Sequence, residues 1–251
     1  MPSAPKKQRL DALLVELGHA HTRSKAERMI RAGEVLVNDQ LSDKPGTKVS
    51  VDSSIRLKSS GSTFVGRGGD KIDLMFDLFS VDLNEKIAID VGASTGGFTD
   101  SMLRRGASKV YAVDVGYNQL DYSLRRDERV VCMEKTNAKD LLPEHFEQLP
   151  DVATIDVSFI GLRKVLPPVL KIMAKEFIII ALVKPQFELG PEHVEKGGVV
   201  RSREKQLQAV ELVAGFGVEN SLGIKGFAPS PLRGEKKGNQ EYFICFSNAE
   251  Y

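Results

Sequence analysis

Residues 90–99 read Asp90-Val91-Gly92-Ala93-Ser94-Thr95-Gly96-Gly97-Phe98-Thr99, directly behind the apolar run Ile87–Ile89 and ahead of a helical pattern. Glycine at 92, 96 and 97 lets the backbone of such a turn approach a ligand closely, and the following helix offers unpaired N–H groups at its start. The chemistry expected of the turn is capture of a small adenosine-containing molecule. A dinucleotide site would read Gly-x-Gly-x-x-Gly with an acid closing the next strand. Here the spacing is Gly92-x-x-x-Gly96-Gly97, and Asp114 supplies the acid. The glycine spacing fits S-adenosylmethionine better, whereas Asp114 suits the ribose diol of either ligand and does not discriminate.

The elements that must hold this turn follow from the alternation of apolar runs with helical patterns from Ile72 onward. Ile87–Asp90, Val110–Asp114, Val130–Met133, Val152–Asp156 and Phe177–Val183 read as strands. Phe98–Arg105, Leu162–Lys171 and Glu204–Gly215 read as helices between them. That order predicts an α/β fold, a mainly parallel sheet with helices on both faces. The last runs, Ile224–Ala228 and Glu241–Phe246, lie too close together for a helical crossover and predict an antiparallel pair at the sheet edge. Ligands of such sheets bind beyond the carboxyl ends of the strands, where Asp90, Asp114, Asp156 and Lys184 fall.

A different pattern precedes this module. Leu10, Leu13, Leu14 and Leu17 share one face of a short helix that Gly18 ends, and a second helix begins at Ser24 with Glu27 completing a capping box. Ala26, Met29 and Ile30 then face the core, which leaves Lys25, Arg28 and Arg31 as a basic face. Gly33 stops this helix, and Val35 and Val37 form a short strand before an Asn38–Asp39 turn. Residues 1–60 carry six Lys and five Arg against seven Asp and Glu, an excess of +4 in a chain whose net charge is +1. The basic face suits a phosphate backbone. Ser59–Gly69 is the best linker, and the expected division is 1–60, a linker at 61–70, and 71–251.

At 251 residues and 41% hydrophobic composition the chain can bury one substantial core and a small second one. The longest apolar run, Phe177–Val183, is far short of the roughly 20 residues of a membrane helix. No signal peptide is visible, because Met1–Arg9 leads into a charged helix. Cys132 and Cys245 lie in apolar runs without metal-ligand spacing and are expected to be buried thiols in a reducing cytoplasm.

Two resemblances sharpen these expectations. Arg9-Leu10-Asp11, Gly18, Arg23-Ser24-Lys25-Ala26, Ile30, the run 33–38 and Lys44-Pro45 resemble an S4 RNA-binding domain. The resemblance implies structured RNA, bound through Arg9, Arg23, Lys25, Arg28 and Arg31. The runs 90–99, 112–117, 136–138, 156–160, 182–188 and 238–243, in that order behind an S4 pattern, resemble the TlyA or hemolysin A family. These are S4-fused relatives of FtsJ-type ribosomal RNA 2′-O-methyltransferases. The family implies a Rossmann-like class I methyltransferase fold with an antiparallel edge strand, plus a small α+β S4 domain.

It further implies a catalytic tetrad at Lys71, Asp156, Lys184 and Glu241. Contacts to S-adenosylmethionine are implied at Asp90, Gly92, Ala93, Ser94, Gly96, Gly97 and Phe98. Asp114 is implied at the ribose, Asn137 and Ala138 near the adenine, and Asp156 near the methyl end. Gln186 and Phe187 follow the catalytic strand toward the acceptor. In this scheme the Lys184 amine takes the proton of a ribose 2′-hydroxyl. That needs a neutral amine, favoured by desolvation and by Lys71 and opposed by Asp156 and Glu241. Gly197–Gly198 with Pro191 marks a loop long enough to move over RNA. Gly69-Asp70 sets an acid beside Lys71, a departure from the family pattern. The sequence ends soon after Tyr242–Phe243, where some members continue into a helical tail; the expected substrate is therefore a cytidine of 23S rRNA, with 16S rRNA second. Partners are ribosomal RNA or ribosomal subunits, and no membrane. The competing classes are a membrane-active hemolysin, a non-catalytic RNA-binding protein, and an S4-containing pseudouridine synthase, which leaves the glycine turn unexplained.

Overall fold

The computed structural model describes residues 7–38, 40–57, 64–232 and 238–248. The chain divides into two compact units, Met1–Ser62 and Thr63–Tyr251.

In the first unit β1 (Lys7–Arg9) runs straight into α1 (Leu10–Glu16). Then follow α2 (Arg23–Arg31), β2 (Val35–Val37), β3 (Gln40–Leu41), β4 (Lys48–Ser50) and β5 (Ile55–Leu57). β1 pairs with β4, and β2 lies between β3 and β5, all antiparallel. Leu10, Leu13, Leu14, Ala26, Ile30 and Val35 make a dry core. Gly18 and Gly33 take the positive φ that lets the chain turn away after each helix. Leu17 departs from the expected apolar face and is 48% exposed, because α1 ends at Glu16 and Leu17 is its C-cap. The cap of α2 is Thr22, not Ser24. Thr22 has extended backbone and its hydroxyl accepts from Lys25 N at 3.2 Å, while Ser24 already lies inside the helix. Asn38 has φ of 49° as a turn demands; its expected partner Asp39 lies outside the described residues.

The second unit begins with α3 (Arg67–Leu78), β6 (Ile87–Val91), α4 (Gly97–Arg104), β7 (Lys109–Val113), α5 (Tyr122–Arg125) and β8 (Val130–Met133). It continues through β9 (Val152–Ile155), α6 (Leu162–Leu170), β10 (Ile178–Val183), α7 (Pro185–Glu188), α8 (Arg203–Glu219), β11 (Gly223–Pro229) and β12 (Tyr242–Ser247). The sheet order is β11-β12-β10-β9-β6-β7-β8. The five strands from β10 to β8 are mutually parallel, and β12 is antiparallel to both β10 and β11. The interior strand β9 reads Val-Ala-Thr-Ile and is buried throughout, as a parallel strand covered on both faces must be.

Helix α3 corrects the linker reading. Arg67–Asp70 form its first turn, although Gly68 and Gly69 are poor helix formers. Packing overrides propensity here. Ile72, Met75 and Phe76 bury against Phe98 and Met102, and the glycines let the two helices approach. A Cβ at Gly97 would stand 2.7 Å from Gly69 N and 2.9 Å from Gly66 O. Polar ties fix the register: Val65 N donates to Asp100 Oδ2 at 2.9 Å, Ser101 Oγ to Asp73 at 2.8 Å, and Arg105 reaches both Asp73 and Asp77. Cys245 is buried in β12, but Cys132 is exposed, because β8 is the edge strand and is covered by pairing on one side alone. Among the described residues no helix is long and apolar enough to cross a membrane.

Candidate active site

The turn after β6 is held from below by Asp90, which is fully buried inside the strand. Its Oδ2 accepts from Thr99 N at 2.9 Å and from Thr99 Oγ1 at 2.7 Å, and Thr154 Oγ1 donates to Oδ1 at 3.3 Å. Gly92 and Ala93 N both donate to Val113 O, and Gly92 and Gly96 take φ of 91° and 94°. Asp114 closes one side, its carboxylate accepting from Ser94 N at 2.8 Å and Gly116 N at 2.6 Å.

The turn opens on a cleft of about 650 Å³, within the range of small-molecule sites. Gly92, Ala93, Ser94, Gly97, Phe98 and Asp156 line it, as expected of cofactor residues. Five other expected residues do not. Asp90 braces the turn from behind, and Gly96 packs toward Leu120 and Leu124. Asp114 and the exposed Asn137 lie beyond the cleft, Asn137 accepting from Lys139 N at 3.1 Å, and Ala138 is buried in the core.

Lys71, Asp156, Lys184 and Glu241 all line the same cleft. Each comes from a different element: Lys71 from α3, Asp156 from the end of β9, Lys184 from the end of β10, Glu241 from the start of β12. The four stand as two ion pairs. Lys71 Nζ lies 2.8 Å from Glu241 Oε2, and Lys184 Nζ lies 2.5 Å from Asp156 Oδ1 and 3.0 Å from Ser158 Oγ. Pro185, with its fixed φ at the first position of α7, turns the chain sharply after Lys184. Glu188 at the end of α7 is buried and its Oε1 accepts from Leu162 N at 2.6 Å. That bond ties the turn carrying Lys184 to the start of α6, just beyond the loop carrying Asp156 and Ser158.

Ser158, Phe159, Arg67 and Asn239 also line the cleft and carried no assigned role in the sequence reading. Phe159 is 85% exposed with φ of 65°, its ring 5.4 Å from that of Phe187. Its place immediately after Ser158 in the run 156–160 was the available signal. The Gly197–Gly198 loop is pinned: Asn239 donates to Gly198 O at 2.8 Å and accepts from Val200 N at 3.0 Å. In the first unit Arg9 and Arg23 converge on the buried carboxylate of Asp11, which they hold down to about 2, the Arg9 hydrogen bond having the largest effect. Arg28 and Arg31 are exposed along α2, and Lys25 is half-buried.

Asp90 makes a pH prediction. Burial without a countercharge, with the carboxylate of Asp156 nearby, raises its carboxyl from 3.8 to about 7. The folded state then binds more protons than the unfolded chain between those values, so stability falls as pH rises through that window. Asp90→Asn keeps an acceptor for Thr99 N–H and removes the titration. Urea unfolding at pH 4 and pH 8 is expected to show the wild type losing up to about 4 kcal/mol more than the variant over this range. Parallel pH profiles would refute the assignment.

The parallel sheet, its antiparallel insertion and the glycine turn at the cleft define a Rossmann-like class I methyltransferase. The FtsJ-like methyltransferase family matches residues 64–248 and the S4 domain residues 8–55. YqxC of Bacillus subtilis (strain 168) is 46% identical over 240 residues, covering 95% of this chain and 85% of the relative. The 16S/23S rRNA (cytidine-2′-O)-methyltransferase TlyA of Mycobacterium tuberculosis (strain ATCC 25618 / H37Rv) is 40% identical over 243 residues, covering 95% and 89%. A solved Streptococcus thermophilus structure bearing a hemolysin name matches with a TM-score of 0.77 and 41% identity over 98% of this chain and 90% of that one. The chain belongs to the TlyA and hemolysin A family of S4-fused FtsJ-like methyltransferases.

Proposed function

We propose that the chain transfers a methyl group from S-adenosylmethionine to a ribose 2′-hydroxyl of ribosomal RNA in the cytoplasm. The expected target is a cytidine of 23S rRNA, with 16S rRNA as a second substrate. The observation that carries this reading is the meeting of two lysine–carboxylate pairs in one cleft beside the glycine turn. The cleft fits the donor: glycine backbone forms one wall, and Gln186 Oε1 on another is buried without a hydrogen-bond partner among the described residues.

The bound donor supplies an electrophilic sulfonium methyl. Gly92, Ala93, Ser94, Gly97 and Phe98 would hold it; Asp114 and Asn137, which lie beyond the cleft, would serve a nucleoside end that extends past it. The remaining work is done by protein side chains. The step requires that Lys184 first release its own proton to solvent. As the 2′-oxygen then takes the methyl from the sulfonium, its proton passes to the neutral Lys184 amine, and the carboxylate of Asp156 stabilises the ammonium that forms. Ser158 Oγ fixes the direction of the amine. The Lys71–Glu241 pair, which lines the same cleft, holds the acceptor ribose. The basic residues Arg9, Arg23, Lys25, Arg28 and Arg31 of the S4 unit take phosphates of the RNA.

The test is transfer of labelled methyl from S-adenosylmethionine to ribosomal subunits purified from a strain lacking the gene, followed by mass mapping of ribose-methylated nucleotides. A 2′-O-methylcytidine in 23S rRNA is expected, and label in 16S rRNA decides whether the small subunit is the second substrate. Label absent from RNA, or found on a base, would refute the reading.

A further inference from the structure

A second cleft of about 580 Å³ lies beside the first, lined among others by Arg201, Arg203, Phe227, Pro229, Gln240 and Tyr242. The two share Asn239, two residues before Glu241. Between them runs the segment 198–201, and its fixity is built from buried side chains. Asn239 holds Gly198 O and Val200 N, Gln206 Nε2 donates to Val200 O at 2.7 Å, and Tyr242 OH donates to Gln206 Oε1 at 3.1 Å. Glu195 and Val199 bridge across its base. The segment is therefore a rigid partition, with the reaction cleft on one side and the second cleft on the other.

The second cleft has the makings of a nucleotide groove. Phe227 on β11 is 54% exposed, a large flat ring left open to solvent. Arg201 is neutralised by Glu195 at 2.6 Å, whereas the exposed Arg203 makes no ion pair among the described residues. A stacking ring and a guanidinium on one groove match a base and its phosphate in single-stranded RNA, where bases stack on aromatic side chains irrespective of sequence. The groove's position directly across the partition from the reaction cleft, with Asn239 lining both, selects which nucleotide that is.

We propose that the second cleft holds the nucleotide flanking the target ribose, its base on Phe227 and its phosphate at Arg203. The partition separates it from the methylated sugar. This inference rests on the ribosomal RNA reading above. It adds a specificity subsite that grips the strand next to the reaction and limits which RNA conformations reach Lys184.

Phe227→Ala and Arg203→Glu test it in two assays. In methyl transfer to the subunits described above, each is expected to raise KM for RNA about tenfold, with the effect on KM rather than kcat; Arg203→Glu is expected to flatten the salt dependence. Binding of a fluorescein-labelled single-stranded decaribonucleotide is expected to weaken about tenfold in both. Calorimetric binding of S-adenosylmethionine checks that the variants keep their fold. Variants that match the wild type for KM and for the decamer overturn the proposal. Loss of self-association in Phe227→Ala with unchanged RNA binding would also overturn it, assigning the groove to a second copy of the chain. A wild type that binds the decamer through these residues but methylates no ribosomal RNA would overturn the functional reading and leave the groove standing.

Discussion

Lys184→Ala is expected to lower single-turnover methyl transfer by about 10²–10⁴-fold, the usual worth of a positioned acid or base. Binding of S-adenosylmethionine should change far less. The argument is local. Lys184 Nζ is the amine that both Asp156 Oδ1 and Ser158 Oγ approach, at 2.5 Å and 3.0 Å, and it sits in the cleft at the carboxyl end of β10. Deleting it removes the proton's destination and leaves the Asp156 carboxylate facing the incoming hydroxyl uncompensated. Lys184→Arg separates two roles. A guanidinium keeps the positive charge beside Asp156 but does not give up its proton in a protein. If Lys184 accepts the proton, the arginine enzyme should be as slow as the alanine one; wild-type turnover in Lys184→Arg would sink the proton-acceptor role.

Gly92→Ala is the second large effect. A Cβ there would stand 2.1 Å from Asp156 O and 2.9 Å from its carbonyl carbon, on a residue already at φ of 91°. Backbone, not a flexible side chain, blocks the new atom, so the loops after β6 and β9 must separate. Asp156 moves with them, and with it the partner of Lys184. Strain and displaced packing together are expected to cost about 3 kcal/mol or more, with loss of donor binding by calorimetry. Gly198→Ala is the control. It also has positive φ, 78°, but its Cβ would meet nothing within 4 Å, so the expected cost is only the conformational penalty of about 1–2 kcal/mol. Equal losses in urea unfolding would show that φ alone matters and that the contact with Asp156 does not.

Much of this site could be read from residue order. The strands from Ile87 to Val183 announce themselves because parallel strands buried on both faces need unbroken apolar runs, and the acids and lysine that end them fall at one edge by topology. What escaped has physical causes. Helix α3 is invisible to propensity because Gly68 and Gly69 serve its approach to α4, and that requirement exists only once both helices are packed. The role of Asp90 is not legible in the sequence, because nothing in the order of residues tells a strand-end acid facing the cleft from one turned beneath it toward Thr99. Thr22 and Ser24 are both good caps, and backbone φ, not residue type, decided between them. The exposure of Cys132 is hidden in the sequence, because an apolar run does not say whether its strand lies inside the sheet or at its edge.

The antiparallel strand β12 has a temporal consequence. Its register sets Tyr242 opposite Val183, so the start of the last strand meets the end of β10 and Glu241 arrives at the edge already holding Lys184. The bond from Lys71 to Glu241 joins groups 170 residues apart. During synthesis the earlier strands can collapse as they emerge, because domains fold as the chain lengthens, but Lys71 waits for its partner until β12 is in place. Completion of the sheet and assembly of the reaction centre are thus one event. A chain interrupted before residue 241 would hold the donor turn and three of the four charged groups, and would have no closed site with which to use them.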